Sequence, residues 1–259
     1  MTSGKQARKQ RQAQRPPVSS KGGGRKASPK VLLAAAAGIA GIAAAIALSV
    51  AFTGGSSPSS GTVSTLPDAG SVIQLFKGIP QQGNVLGKAT APVTMVEYID
   101  LQCPVCRAFE TEVMPTIIDR YVRTGKVKVE ARTIAFIGVD SDRGRRAAIA
   151  ASRQNRLFDF EQLLYANQGS ENSGWLNDSM VTAAAKSIPG LAVQTLLNTR
   201  NSASVVNTAK HYDAQAVADK VGGTPALYIG KSGGKLTAFS PSTAPDAATL
   251  SGYLDRVLR

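Results

Sequence analysis

The feature that most constrains this chain is a single pair of cysteines, Cys103-Pro104-Val105-Cys106, placed where a β-branched apolar run gives way to a helical pattern. The run Val93–Ile99 (VTMVEYI) reads as a buried strand, entered through Ala91-Pro92. Residues 104–124 read as a helix, with Phe109, Val113, Ile117 and Tyr121 recurring every four positions and Gly125 ending it. Val127, Val129 and Ala131 then alternate, so 127–134 reads as a second strand. Strand, helix, strand makes a βαβ unit with the cysteine pair at its first junction.

The chemistry follows from that position. A thiol at a helix N-terminus faces unpaired backbone N–H groups and the positive end of the helix dipole, and both favour the thiolate. Pro104 suits the first helical position because its missing N–H has no partner there. Cys103 is therefore the candidate exposed nucleophile, and Cys106 the more buried resolving thiol. A bridge across two intervening residues constrains the unfolded chain very little, so the pair serves chemistry better than stability. Structural zinc needs four ligands, and the only histidine, His211, is over a hundred residues away. The four methionines show no cluster that would suit copper, so no metal and no cofactor is expected.

Charge and hydropathy divide the chain. The first thirty residues hold nine Lys or Arg and no Asp or Glu, out of a formal net charge of +13 over 259 residues. That stretch is also rich in Gln, Ser, Gly and Pro and cannot bury enough apolar surface to fold. It is followed by 22 uncharged residues, Val31 to Phe52, long enough to cross a bilayer as a helix. Positive charge on that flank retains it in the cytoplasm, so the tail is read as a topology signal, with no nucleic-acid partner. Cleavage after Ala51, at a small-residue site Ser49-Val50-Ala51, is the rival fate of the segment. Residues 53–70 read as a flexible Gly/Ser/Pro linker, and 71–259 as one folded domain.

Within that domain 72–76 reads as a further strand. Residues 142–220 read as almost wholly helical. Strands return at 226–229 and 236–239, joined by Ser232-Gly233-Gly234, and a last helix spans 245–258. Arg143, Arg145 and Arg146 read as a solvated helix face, and Trp175 and His211 carry no assigned role. Gly222-Gly223-Thr224-Pro225-Ala226 precedes a strand, where a Pro has no N–H to give and X-Pro readily adopts cis.

Taken together, APVTMVEYIDLQCPVC and VGGTPA resemble the DsbA-type thioredoxin-like oxidoreductases, above all the membrane-anchored extracytoplasmic bacterial members, over roughly residues 79–259. The resemblance implies an α/β thioredoxin-like fold with a helical domain inserted at about 142–220, preceded by an N-terminal transmembrane helix. It implies a cis Pro225 and a substrate-facing Thr224 beside Pro104 and Val105. It also implies an acid at Glu97, six residues before Cys103, that assists proton transfer to or from the resolving thiol. Asp100, nearer the turn, reads as a surface or capping residue. The expected activity is donation of disulfides to reduced exported proteins by a monomer, reoxidised by a membrane oxidase. A reductase or isomerase of the same fold and a non-catalytic binding module are the alternatives. The dipeptide is Pro-Val where strongly oxidising members often carry Pro-His, so Val105 leaves the direction of electron flow open.

Overall fold

The computed structural model describes residues 65–240 and 246–259. The basic tail (1–30), the apolar segment (31–52) and most of the linker (53–70) lie outside the described residues. No described helix is long and apolar enough to cross a membrane.

Six strands form one sheet in the order β1-β2-β4-β3-β5-β6. They are β1 (Gln81–Gln82), β2 (Val85–Leu86), β3 (Val93–Ile99), β4 (Val127–Thr133), β5 (Ala226–Lys231) and β6 (Thr237–Phe239). The β-branched run forms β3 because that strand lies mid-sheet, where such side chains pack well. It is parallel to β4 and antiparallel to β5, and all seven of its residues are buried. The expected βαβ unit is therefore the centre of the molecule.

Eight helices complete the described residues: α1 (Ala69–Phe76), α2 (residues 104–122), α3 (Val139–Ser152), α4 (Leu157–Ala166), α5 (Asp178–Lys186), α6 (Val193–Thr199), α7 (Ala203–Ala218) and α8 (Ala247–Leu258). Helices α3 to α7 stand between β4 and β5 as the expected insertion, which starts at Val139 rather than 142. Asp246 caps α8 by accepting from the Thr249 N–H at 2.7 Å.

Two expectations are corrected, and one hairpin is additional. Residues 72–76 are helical, because Ala69, Val72 and Phe76 bury one face at helical spacing and the β-branched pair Val72-Ile73 does not override it. A short hairpin, β1–β2, turns at Gly83, whose φ of 60 suits glycine. The Arg143–Arg146 group is paired rather than solvated: Arg145 contacts Asp142 at 2.8 Å and Asp213 at 2.6 Å, Arg143 contacts Asp140 at 2.8 Å, and Arg146 pairs with Asp142.

Helix α2 widens twice into π turns, at Phe109–Val113 and Ile118–Val122. Pro115 explains the first: it cannot donate an i→i−4 bond and its ring crowds the preceding turn. The wider turns also keep the four-residue repeat of Phe109, Val113, Ile117 and Tyr121 facing the core, where all four are buried.

Candidate active site

Cys103 is the N-cap of α2, in extended backbone, and its sulfur accepts the Cys106 N–H at 3.3 Å. Both cysteines are free thiols, and Cys103, expected to be exposed, is covered to 6% exposure by the Thr224–Pro225 loop across from it, against 0% for Cys106. Across the cleft the Thr224 carbonyl accepts from the Cys103 sulfur at 3.3 Å, and the Thr224–Pro225 peptide bond is cis. The expected convergence of the cysteine pair with Thr224 and Pro225 is therefore present. Pro104 and Val105 are exposed beside it, Val105 at 50%. A groove of about 440 Å³ runs from the cis bond past Tyr228 and Phe239.

The two thiols are driven apart. A hydrogen bond from the Cys106 thiol holds Cys103 down to about 6; burial opposes that, while the Thr224 side chain and the N–H groups of Cys106 and Val105 assist it. Burial pushes the Cys106 thiol well above its ordinary value, and its interactions with Cys103 add to the rise. One sulfur is built to carry charge and the other to carry a proton.

Glu97 is buried at 1% exposure in β3, and its Oε2 has no hydrogen-bond partner. Burial first, and the nearby Glu161 second, push its carboxyl up to about 8. The expected inward-facing acid is thus in place. Asp100, expected at the surface or as a cap, is fully buried and does cap. Its carboxylate accepts the N–H groups of Gln102 (2.8 Å), Phe136 (2.6 Å) and Ile137 (2.9 Å) and the Ser141 hydroxyl (2.7 Å).

The insertion holds the turn that presents Cys103 through residues absent from the sequence-based reading. The Gln168 side chain donates to the carbonyls of Leu101 (2.8 Å) and Cys103 (3.1 Å), and Tyr165 donates to the Asp100 carbonyl (3.1 Å). Gln102 donates to Ser141 (3.0 Å) and accepts the Asn172 N–H (2.7 Å). These partners stand 39 to 70 positions apart in the chain, so no local pattern announces them.

This architecture is shared with known proteins. A family model described as thioredoxin matches residues 81–243. A Bacillus cereus protein named "Probable disulfide bond formation protein D" is 30% identical over 159 residues, 60% of this chain and 73% of that one. In fold, the chain matches oxidised BdbD from Bacillus subtilis with a TM-score of 0.61 at 22% identity, covering 70% of this chain and 97% of that one. It matches Wolbachia pipientis alpha-DsbA1 with a TM-score of 0.59 at 18% identity, covering 68% and 90%. The chain belongs to the thioredoxin family and is a thiol–disulfide oxidoreductase, DsbA-like in carrying a helical insertion between β4 and the cis-proline strand.

Proposed function

We propose that this protein donates disulfides to reduced exported proteins, with Cys103 as the attacked sulfur and Cys106 as the resolving one. The observation that carries this reading is the opposed displacement of the two thiols. With its thiol near 6, Cys103 is roughly nine-tenths thiolate at neutral pH, whereas an ordinary cysteine is a few per cent thiolate or less. A stabilised thiolate favours the reduced pair, which makes the disulfide a stronger oxidant. The client thiolate attacks Cys103, a mixed disulfide forms, and the electron pair leaves on Cys106. Glu97 supplies the proton that Cys106 then takes up. An extended client lies along Thr224 and Pro225, with Pro104 and Val105 facing it on the other side.

Residues 31–52 anchor the domain in this reading, with the basic tail cytoplasmic and the catalytic domain, a monomer, outside. The positive flank and the uncharged run support it. A membrane oxidase then reoxidises the pair. Equilibration with glutathione buffers tests the direction of flow: a potential near −180 mV or higher supports the donor, and one below about −250 mV overturns it in favour of a reductase. Cys103→Ser abolishes exchange if the pair is catalytic, and leaves function intact if the domain is only a binding module.

A further inference from the structure

Three buried carboxyl groups from three different elements act on one another in the core, one of them four positions after Cys106, and the mechanism above uses only one. Glu110 follows Cys106 by four positions on α2, so the two share one helix face. Glu161 and Tyr165 stand in the same relation on α4. Helix α4 packs on this turn of α2, since the Gln162 side chain donates to the Glu110 carbonyl at 3.0 Å. On the sheet, Glu97 pairs with Ala131 and Ile99 with Thr133 in the parallel register of β3 and β4. Glu97 and Thr133 therefore point to the same face. The Thr133 hydroxyl hydrogen-bonds the Glu161 carboxyl, which brings Glu161 to within a row of Glu97.

None of the three is on the surface: Glu97, Glu110 and Glu161 are 1%, 7% and 3% exposed. Oε2 of Glu97 and Oε1 of Glu110 have no hydrogen-bond partner, and none of the three carboxyls has a cationic partner among the described ion pairs. No three carboxyl, thiol or imidazole groups among the described residues are arranged to hold a metal ion. An unpaired buried carboxyl takes a proton instead.

We propose that Glu110 and Glu161 join Glu97 in a single proton store beneath Cys106. The proton exchanged with the resolving thiol is then shared by three carboxyls instead of belonging to one. This rests on the donor reading above. When a client thiolate attacks Cys103, the Cys103–Cys106 bond breaks and Cys106 receives the electron pair and a proton from the store. A second client thiolate then attacks the client sulfur of the mixed disulfide, the client disulfide forms and Cys103 leaves as thiolate. Reoxidation by an external disulfide runs the steps backwards, and Cys106 returns its proton to the store.

The groups around the trio act on its titration in both senses. Burial raises all three acids; Glu161 raises Glu97, and both raise Glu110. The Thr133 hydroxyl opposes the rise at Glu161. Burial pushes the Tyr165 hydroxyl well above its ordinary value, and Cys106, Glu110, Glu161 and Asp100 add to the rise. Burial also raises the Tyr212 hydroxyl of α7, with Glu161 and Glu130 adding to the rise and Arg132 and Arg153 opposing it.

The test is the pH dependence of the glutathione equilibrium, from pH 5.5 to 9, on the full chain and its Glu97→Gln, Glu110→Gln and Glu161→Gln variants. A shared store moves the equilibrium constant of each variant by about threefold to tenfold at pH 8 and less than about twofold at pH 5.5. Pairing Glu161→Gln with Glu97→Gln then gives less than the product of the two single effects. Thr133→Val, which keeps all three carboxyls but removes the hydroxyl bonded to Glu161, shifts the profile toward higher pH. Glu110→Gln or Glu161→Gln profiles that superimpose on the parent, or effects that multiply independently, overturn the store. Should a variant not fold, redox-difference infrared spectra of the parent decide: carboxyl bands from one residue only overturn the proposal, and bands from several support it. The absolute potential at pH 7 tests the donor reading separately, so either idea fails without the other.

Discussion

Asp100 and Glu97 are carboxyls three positions apart on the chain, both out of water, and in opposite circumstances. Asp100 accepts four hydrogen bonds, from the turn before Cys103, the loop after β4 and the first turn of α3. Glu97 has an oxygen with no partner and other acids for neighbours. A satisfied buried carboxylate rigidifies what surrounds it, whereas an unsatisfied one stays ready to gain or lose a proton. Burial alone therefore does not tell a structural acid from a chemical one; the donors around it do. The same contrast separates the insertion's two contributions: Gln168 and Tyr165 hold the backbone of the turn, while Glu161 faces the acids beneath.

The comparison breaks most readily at Asp100. Asp100→Ala orphans four donors at about 1–3 kcal/mol each where no water replaces the lost acceptor, so a net loss of roughly 3 kcal/mol or more is expected. Chemical denaturation measures it, and a loss under about 1 kcal/mol would erase the distinction. Glu97→Gln should act in the opposite sense. A carboxyl raised to about 8 from an ordinary 4.5 adds nothing to the cost of folding below about pH 4.5, and penalises the fold increasingly as pH rises toward 8. Removing it stabilises the domain at pH 8, by up to about 1.4 kcal/mol for each pH unit crossed in that window, and by nothing at pH 4. Stability curves at the two pH values check the sign.

Cys103 runs the other way. Its thiol lies below the ordinary value, so its stabilisation of the reduced form is present at alkaline pH and is lost as pH falls through about 6. The gap in melting temperature between the reduced parent and its Cys103→Ser variant should narrow between pH 8 and pH 5. Gln168→Ala removes two bonds to the Cys103 turn and is expected to cost about 1 kcal/mol. It should also speed amide exchange in residues 101–106, which hydrogen-exchange mass spectrometry reads. Val105→Ala, on an exposed side chain, should change stability by less than about 0.5 kcal/mol, which keeps the client-facing surface apart from the fold.

Much of the site is legible in the chain because its signals are short. The cysteine spacing, Pro104 at the first helical position and a Thr-Pro before a strand each span only a few residues, and the structure brings them together. Glu97 also stands out, as the one charge in an otherwise apolar central strand. What misleads is a run like Val72-Ile73, whose propensity suits a strand but whose buried neighbours Ala69 and Phe76 fit a helix. Glu110 and Glu161 look like ordinary helix-surface acids until α4 is laid against α2.

By itself, then, the sequence determined the fold class, the cysteine pair at a helix start and the contact with Cys106 that most lowers the Cys103 thiol, because these depend on covalent neighbours and i to i+4 geometry. Tertiary structure alone decided which acids lose their water, which find donors, and which elements clamp the turn. Desolvation is a sum over every atom packed around a group, and for Glu97, Asp100 and Glu161 those atoms come from strands and helices far apart in the chain. The chemistry of Cys103 is written locally. The proton exchange proposed for Cys106 is not, because Glu97 and Glu161 arrive from other elements.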